Sequence, residues 1–142
     1  GDKRIAVSLS VEPDEHLVIA EIPSAYRLEH ARDKRAARKA LLYVNYSLKA
    51  THFGIDPRDA NEVVARAEIW LTGVIPSGRY IGAALTRFAG QFDLAARLLQ
   101  PVWRGGKREL QSLLEREMRP PEHPPRQRSR GSGSGGASRA VS

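Results

Sequence analysis

Four histidines are the first candidates for acid–base or metal chemistry, and their spacing serves neither. His16, His30, His52 and His123 do not recur three or four residues apart, the separation that sets two imidazoles on one helix face around a metal. Glu15-His16 and Glu29-His30 are adjacent pairs, which point to different sides of a helix. The chain has no cysteine, so it has no thiolate zinc site and no disulfide frame, which fits a reducing compartment. Gly105-Gly106-Lys107 lacks the spacing and the following Ser/Thr of a phosphate-binding loop. No catalytic constellation emerges. The expectation is a non-enzyme without metal or cofactor.

What the residues do offer is positive charge. The formal net charge is +7 over 142 residues, and it is unevenly placed. Residues 1–50 carry nine Lys/Arg against seven Asp/Glu, residues 51–100 five against five, and residues 101–142 nine against four. At about 100° per residue, Arg32, Arg35, Arg38 and Lys39 share a face of one helix with Tyr43 and Tyr46. Such a face can hold phosphates and stack on bases. It can equally be a solvated surface whose tyrosines pack on a neighbour. Arg126, Arg128 and Arg130, flanked by Arg119 and Arg139, offer either non-specific phosphate affinity or a solubilising end.

The elements that must position these residues read as mostly helical. Lys3 to Val11 is the one clear strand signal: Ile5, Val7, Leu9 and Val11 alternate with Arg4, Ala6, Ser8 and Ser10. Pro13-Asp14-Glu15 suits a helix start, predicting a helix to about Ile22 that Pro23 stops. The stretch from Ser24 to about Ala31 stays unassigned. A second helix spans Arg32 to Leu48, with Ala36, Ala37, Ala40, Leu41, Val44 and Leu48 turned inward. Asp56-Pro57-Arg58-Asp59 reads as the capped start of a third, with Ala60, Val63, Val64, Ala67, Trp70 and Leu71 as its buried stripe and Gly73 as its end. A fourth follows Pro76-Ser77-Gly78, repeating Ile81, Leu85, Phe88, Phe92, Ala95 and Leu99; Gly90 marks a kink or a split, and Pro101 closes it. The last runs from Lys107 to Met118. Beyond about residue 120 the chain is Pro-, Arg- and Gly/Ser-rich, too poor in apolar mass to offset the entropy of ordering. The fold class expected is mainly α, with one N-terminal strand, four or five helices and a disordered tail.

A lone strand leaves its backbone groups without partners. Either two copies of the chain pair as an antiparallel ribbon, or the segment lies over its own helices. In this order of elements, K-R-I-A-V-S-L-S-V-E-P-D-E-H-L followed by E-I-P-S-A-Y-R and K-R-A-A-R-K-A-L resembles the ribbon-helix-helix (MetJ/Arc) superfamily, in the versions of plasmid partition and conjugation accessory proteins. The resemblance covers about a third of the chain. It implies a homodimer whose ribbon enters the DNA major groove, with Arg4, Ala6, Ser8 and Ser10 facing the groove and the start of the second helix on phosphate.

Three regions follow: 1–50 as a strand-helix-helix nucleic-acid-binding region, 51–119 as a helical assembly or partner region, and 120–142 as a basic tail. The site residues expected are Arg4, Ser8 and Ser10 at base edges and Arg32, Lys34, Arg35, Arg38 and Lys39 on phosphates. The partner expected is nucleic acid, DNA before RNA, with the protein a homodimer acting as an accessory factor of a plasmid or other mobile element. The alternative is a helical adaptor or structural subunit binding a protein through residues 60–99, with Ile81, Leu85, Phe88 and Phe92 as the contact. No run of apolar residues is long enough to span a bilayer, and no signal peptide is visible, so a cytoplasmic location is expected.

Overall fold

The apolar run Leu17-Val18-Ile19-Ala20 is where the chain first departs from the expectation of a nearly all-helical protein. The computed structural model describes residues 5–71 and 77–117, and there this run opens one of two long central strands. Four strands, β1 (Ser8–Glu12), β2 (Leu17–Arg27), β3 (His52–Asp56) and β4 (Asp59–Trp70), form an antiparallel sheet in the order β1-β2-β4-β3. Three helices, α1 (Lys34–Ser47), α2 (Gly78–Gly105) and α3 (Lys107–Glu117), complete an α+β fold. The mainly α class with one strand and four or five helices is thereby corrected. Arg4, Gly73 and the segment from residue 118 onward lie outside the described residues.

The helix expected from Pro13 shrinks to one 3-10 turn, Pro13–Glu15, ended by His16 at φ 51°. Proline and acids favour any tight first turn, so the start signal was satisfied without a helix behind it. Leu17, Val18, Ile19, Ala20 and Ile22 are all buried. A strand covered on both faces shows as a continuous apolar run rather than an alternation. Pro23 does not stop the element, because it falls in a bulge between Ile22 and Tyr26, the one interior position where a strand tolerates a missing N–H. Ser24 takes a positive φ of 50° there. Its N–H and hydroxyl donate to Glu62 Oε1 at 2.9 and 2.6 Å, which holds the unusual backbone in place.

The second pair of strands replaces the helix expected after Asp56. Asp56-Pro57-Arg58-Asp59 is a hairpin turn, in which Asp56 Oδ1 accepts from Arg58 N at 2.7 Å. Asp followed by Pro presets a turn as readily as a helix start. Along β4 the buried residues are Val63, Ala65, Ala67 and Ile69, a period of two. Valine at both 63 and 64 and alanine at 60 and 67 had also fitted a helical stripe. What decides between the periods is pairing: Leu17 to Ile22 lie opposite Trp70 to Ala65 in unbroken register.

The helices cover the sheet face that carries Ala20, Ile22, Ala65, Ala67 and Phe53. Asp33 caps α1 by accepting from Arg35 N and Ala36 N, and Ala36, Ala37, Ala40, Leu41 and Val44 face the core, as the periodicity predicts. The helix of 28 residues that follows runs through Gly90 and through Pro101, where a break and an end were expected. One glycine costs only about 1 kcal/mol. Past Pro101, Val102 and Trp103 are buried in the core, and that gain keeps the last turn helical against the lost N–H. The real break is at Gly106, φ 69°, where the Trp103 carbonyl accepts from Arg32 N at 2.9 Å. Tyr26, Phe53, Phe92 and Trp103 form an aromatic cluster, Tyr26 and Trp103 being closest at 4.8 Å between ring centres.

Candidate interaction surface

The residues expected to touch nucleic acid are not brought to one surface. Ser8 and Ser10 are exposed on β1, opposite Glu21 and Ile19, on the sheet face away from the helices. Arg32, Lys34, Arg35, Arg38 and Lys39 are exposed at the start and along the outer side of α1, which packs on the other face. The sheet stands between the two sets. Moreover β1 pairs with β2 of its own chain, Ser8 opposite Glu21 through Glu12 opposite Leu17, so the ribbon of two copies described above is not formed by that edge. Asp33, beside the expected phosphate contacts, is engaged as the cap of α1.

The charge also sits differently from its sequence-wide total. The described residues hold sixteen Lys/Arg against fourteen Asp/Glu. A cleft of about 580 Å³ between α1 and α3 is bordered by Arg35, Lys39 and Lys107 over Ala36, Leu110 and Leu114. Elsewhere ionised groups pair locally: Arg27 with Glu29 and Asp59, and Arg58 with Asp56. These contacts shift their protonation in one sense. The Arg58 guanidinium and backbone N–H lower Asp56 to about 2. Arg27 lowers Glu29, the Asn61 N–H lowers Asp59, and burial raises Tyr26 to about 12. Each group is held more firmly in the state it already has at neutral pH, which suits structural pairing rather than proton transfer. His16, His30 and His52 are exposed. Among the described residues no group of three His, Asp or Glu side chains is placed to hold a metal, and no helix is long and apolar enough to cross a membrane.

The feature that stands out lies at the β1 edge. All five residues of β1 are exposed. Val7, Leu9 and Val11 share a face with Val18, Ala20 and Ile22 of β2, the face the helices cover elsewhere. Yet Ile5, Val7, Leu9 and Val11 are 48%, 42%, 52% and 62% exposed. Between this row and α2 lies a trough of about 400 Å³, walled by Leu85, Phe88, Ala89 and Phe92. Phe88 and Phe92, expected to contact a partner, are buried in the chain's own core, while Ile81 and Leu85 are half-buried. Beyond the ladder with β2, no hydrogen bond reaches β1 among the described residues. Among the described residues its outer row of N–H and C=O groups has no partner, above an apolar trough. The alternation of Ile5, Val7, Leu9 and Val11 was visible in the sequence; that a strand would cover only one edge of it was not, because β2 was read as a helix. No family model, curated protein or solved structure matches the chain.

Proposed function

We propose that this protein is a non-catalytic protein-binding module whose working surface is the open edge of its sheet, β1 together with the N-terminal half of α2. The observation that carries this reading is the row Ile5, Val7, Leu9 and Val11, largely exposed on the face that is otherwise core. Soluble proteins blunt an edge strand with charge, proline, a bulge or a covering element. An apolar edge strand without a neighbour marks a site where another chain adds a strand. Backbone pairing supplies affinity in that mode, and the trough under β1 selects apolar side chains at alternate positions.

The test uses a labelled ten-residue peptide with apolar residues at alternate positions and a control of the same composition with its apolar residues in one block. Anisotropy with the full chain should show binding of the first and at least tenfold weaker binding of the second. Leu9→Asp, at an exposed position, should keep the circular dichroism of the parent and lose the preference. Equal binding of both peptides, or binding indifferent to Leu9→Asp, overturns the reading.

A second reading is nucleic-acid binding by α1. One observation favours it: no salt bridge involves Arg32, Lys34, Arg35, Arg38 or Lys39 among the described residues. Binding to duplex DNA that falls steeply between low and moderate salt, and that weakens with Arg35→Ala and Lys39→Ala, would support it. The absence of any DNA complex at low salt removes it.

A further inference from the structure

We infer that the protein carries a binding site for a phosphate dianion, free or as the ester of a small molecule, where the segment entering α1 meets the last turn of α2. None of the residues lining this site borders the β1 trough, so it stands apart from the edge reading.

The backbone builds the site. Arg32 N donates to the Trp103 carbonyl at 2.9 Å, which ties the approach to α1 onto the end of α2 and makes neighbours of Arg32 and Arg104. A depression of about 510 Å³ opens there, lined by Tyr26, His30, Arg32, Gln100, Trp103 and Arg104. Its volume lies in the range of small-ligand pockets, roughly 300–1,000 Å³. The lining holds two guanidiniums and an imidazole and no carboxylate. Among the described residues neither Arg32 nor Arg104 enters a salt bridge. The acids close in sequence are engaged elsewhere: Glu29 accepts from Arg27 Nε at 2.7 Å, and Asp33 caps α1. His30 reaches Glu29 only at 3.8 Å.

Basic side chains at a helix C-terminus ordinarily answer its last carbonyls. Here two of those carbonyls are already bonded by backbone, Val102 to Gly106 N at 2.8 Å and Trp103 to Arg32 N. Cations gathered at one depression repel each other, and a bound anion reverses the sign of that interaction. The charge count selects the anion. Two guanidiniums, charged at any accessible pH, match a phosphate monoester, which carries about −1.5 to −2 at neutral pH; a single carboxylate or a phosphodiester answers only one. Guanidinium forks donate in pairs to phosphate oxygens, and Gln100 adds an amide donor. Burial pushes Tyr26 up to about 12, so its phenol stays neutral and brings no opposing charge. The wall is rigid: Trp103 lies 4.8 Å from Tyr26 between ring centres, and its Nε1 donates to the Arg27 carbonyl at 3.0 Å.

Trp103 can report on the site directly. In the full chain carrying Trp70→Phe it is the one remaining tryptophan. Its fluorescence should change saturably with inorganic phosphate and with ribose 5-phosphate at low millimolar concentration, and stay constant with acetate at matched ionic strength. A tighter response to the ester assigns the site to a phosphorylated small molecule, and an equal response assigns it to the free ion. Arg32→Gln and Arg104→Gln should each weaken the phosphate response at least tenfold while keeping the circular dichroism of the parent. Arg97→Gln, on the same helix but paired with Asp93 at 2.8 Å, should leave it unchanged. Amide shifts at Arg32 and Arg104 of the unaltered chain should follow the same titration, a readout that needs no variant to fold. No saturable response to either phosphate, an equal response to acetate, or an equal loss with Arg97→Gln overturns the site. A response confined to duplex DNA at the same phosphate concentration also overturns it, and returns Arg32 to the α1 reading.

Discussion

The two edges of this sheet have been treated differently by the sequence. At the β3 edge, Asn45 of α1 turns its amide onto the strand: Phe53 N donates to Asn45 Oδ1 at 2.7 Å, and Asn45 Nδ2 donates to the Phe53 carbonyl at 2.8 Å. A side chain thus occupies the outward N–H and C=O of Phe53, two of the groups that a further strand would need, and Phe53 itself is buried. Leu42, Tyr46 and Ile55 are exposed nearby, but they border the Phe53 backbone that Asn45 pairs. At the β1 edge the apolar side chains are exposed, and among the described residues no hydrogen bond reaches the outer backbone. Apolar exposure alone is common on protein surfaces. Exposure joined to an unpaired strand is what turns an edge into a site, and among the described residues β1 shows the two together along its length.

The largest way to break this contrast acts beneath both edges at once. Phe92 is 8% exposed, stacks at 6.1 Å on Phe53 of β3, and also walls the trough under β1. Phe92→Ala should cost about 3–5 kcal/mol in denaturant unfolding, the range for a buried aromatic truncated to alanine. A cost under about 1 kcal/mol would show that the two edges do not share a floor.

A smaller substitution separates them. Asn45→Ala strips the β3 edge of its cover while leaving β1 untouched, and it abandons a part-buried N–H and C=O. The expected loss is about 1–3 kcal/mol, with faster amide hydrogen exchange at Phe53 and unchanged exchange in β1. Stability within about 0.5 kcal/mol of the parent would mean that Asn45 is incidental and that the edges differ less than their bonding suggests.

How much of this was legible beforehand follows from where information is local. The helices α1 and α3, their inward stripes and the α2 stripe are written in a 3.6-residue period that any ten-residue window displays. The β1 alternation is local as well. β2 and β4 are not, because each is confirmed by the other across about 40 residues of sequence. Val63 and Ala67 satisfy both periods while Val64 and Trp70 fit only the helical one, so the period of two wins only once Leu17–Ile22 is recognised as a strand that needs a neighbour. Pro23 misled because its bulge depends on Glu62, far along the chain. The α1 cations were read as exposed and are exposed. Their grouping with Ser8 and Ser10 assumed a strand-helix-helix order that a single 3-10 turn and an eleven-residue strand replace. The open edge had its side-chain half in view from the start, and its backbone half became visible only when β1 acquired one partner and not two.

Acid should sharpen the contrast further, with the smallest effect of the three. The β3–β4 turn is closed by a carboxylate: Asp56 accepts from Arg58 N, Nε and Nη2 at 2.7, 3.1 and 2.9 Å, which lowers it from 3.8 to about 2. The β1–β2 connection is closed by backbone, His16 N to the Pro13 carbonyl at 3.3 Å and Leu71 N to the His16 carbonyl at 2.7 Å. A carboxyl whose folded value lies below its unfolded one stabilises the folded state at any pH above the unfolded value, and that contribution drains away as pH falls through the folded value. For Asp56 the window therefore runs from about 4 down to about 2. Arg58 is solvent-exposed, its side chain 86% accessible, so solvent screens the pair and the effect on global stability is modest. Its signature is positional. Amide exchange around Arg58 and Asp59 should accelerate across that window before exchange around His16 and Leu17 does, and Asp56→Asn should flatten the difference. Simultaneous loosening of both turns would show that side-chain and backbone closures are equivalent here, and the asymmetry between the edges would then rest on Asn45 alone.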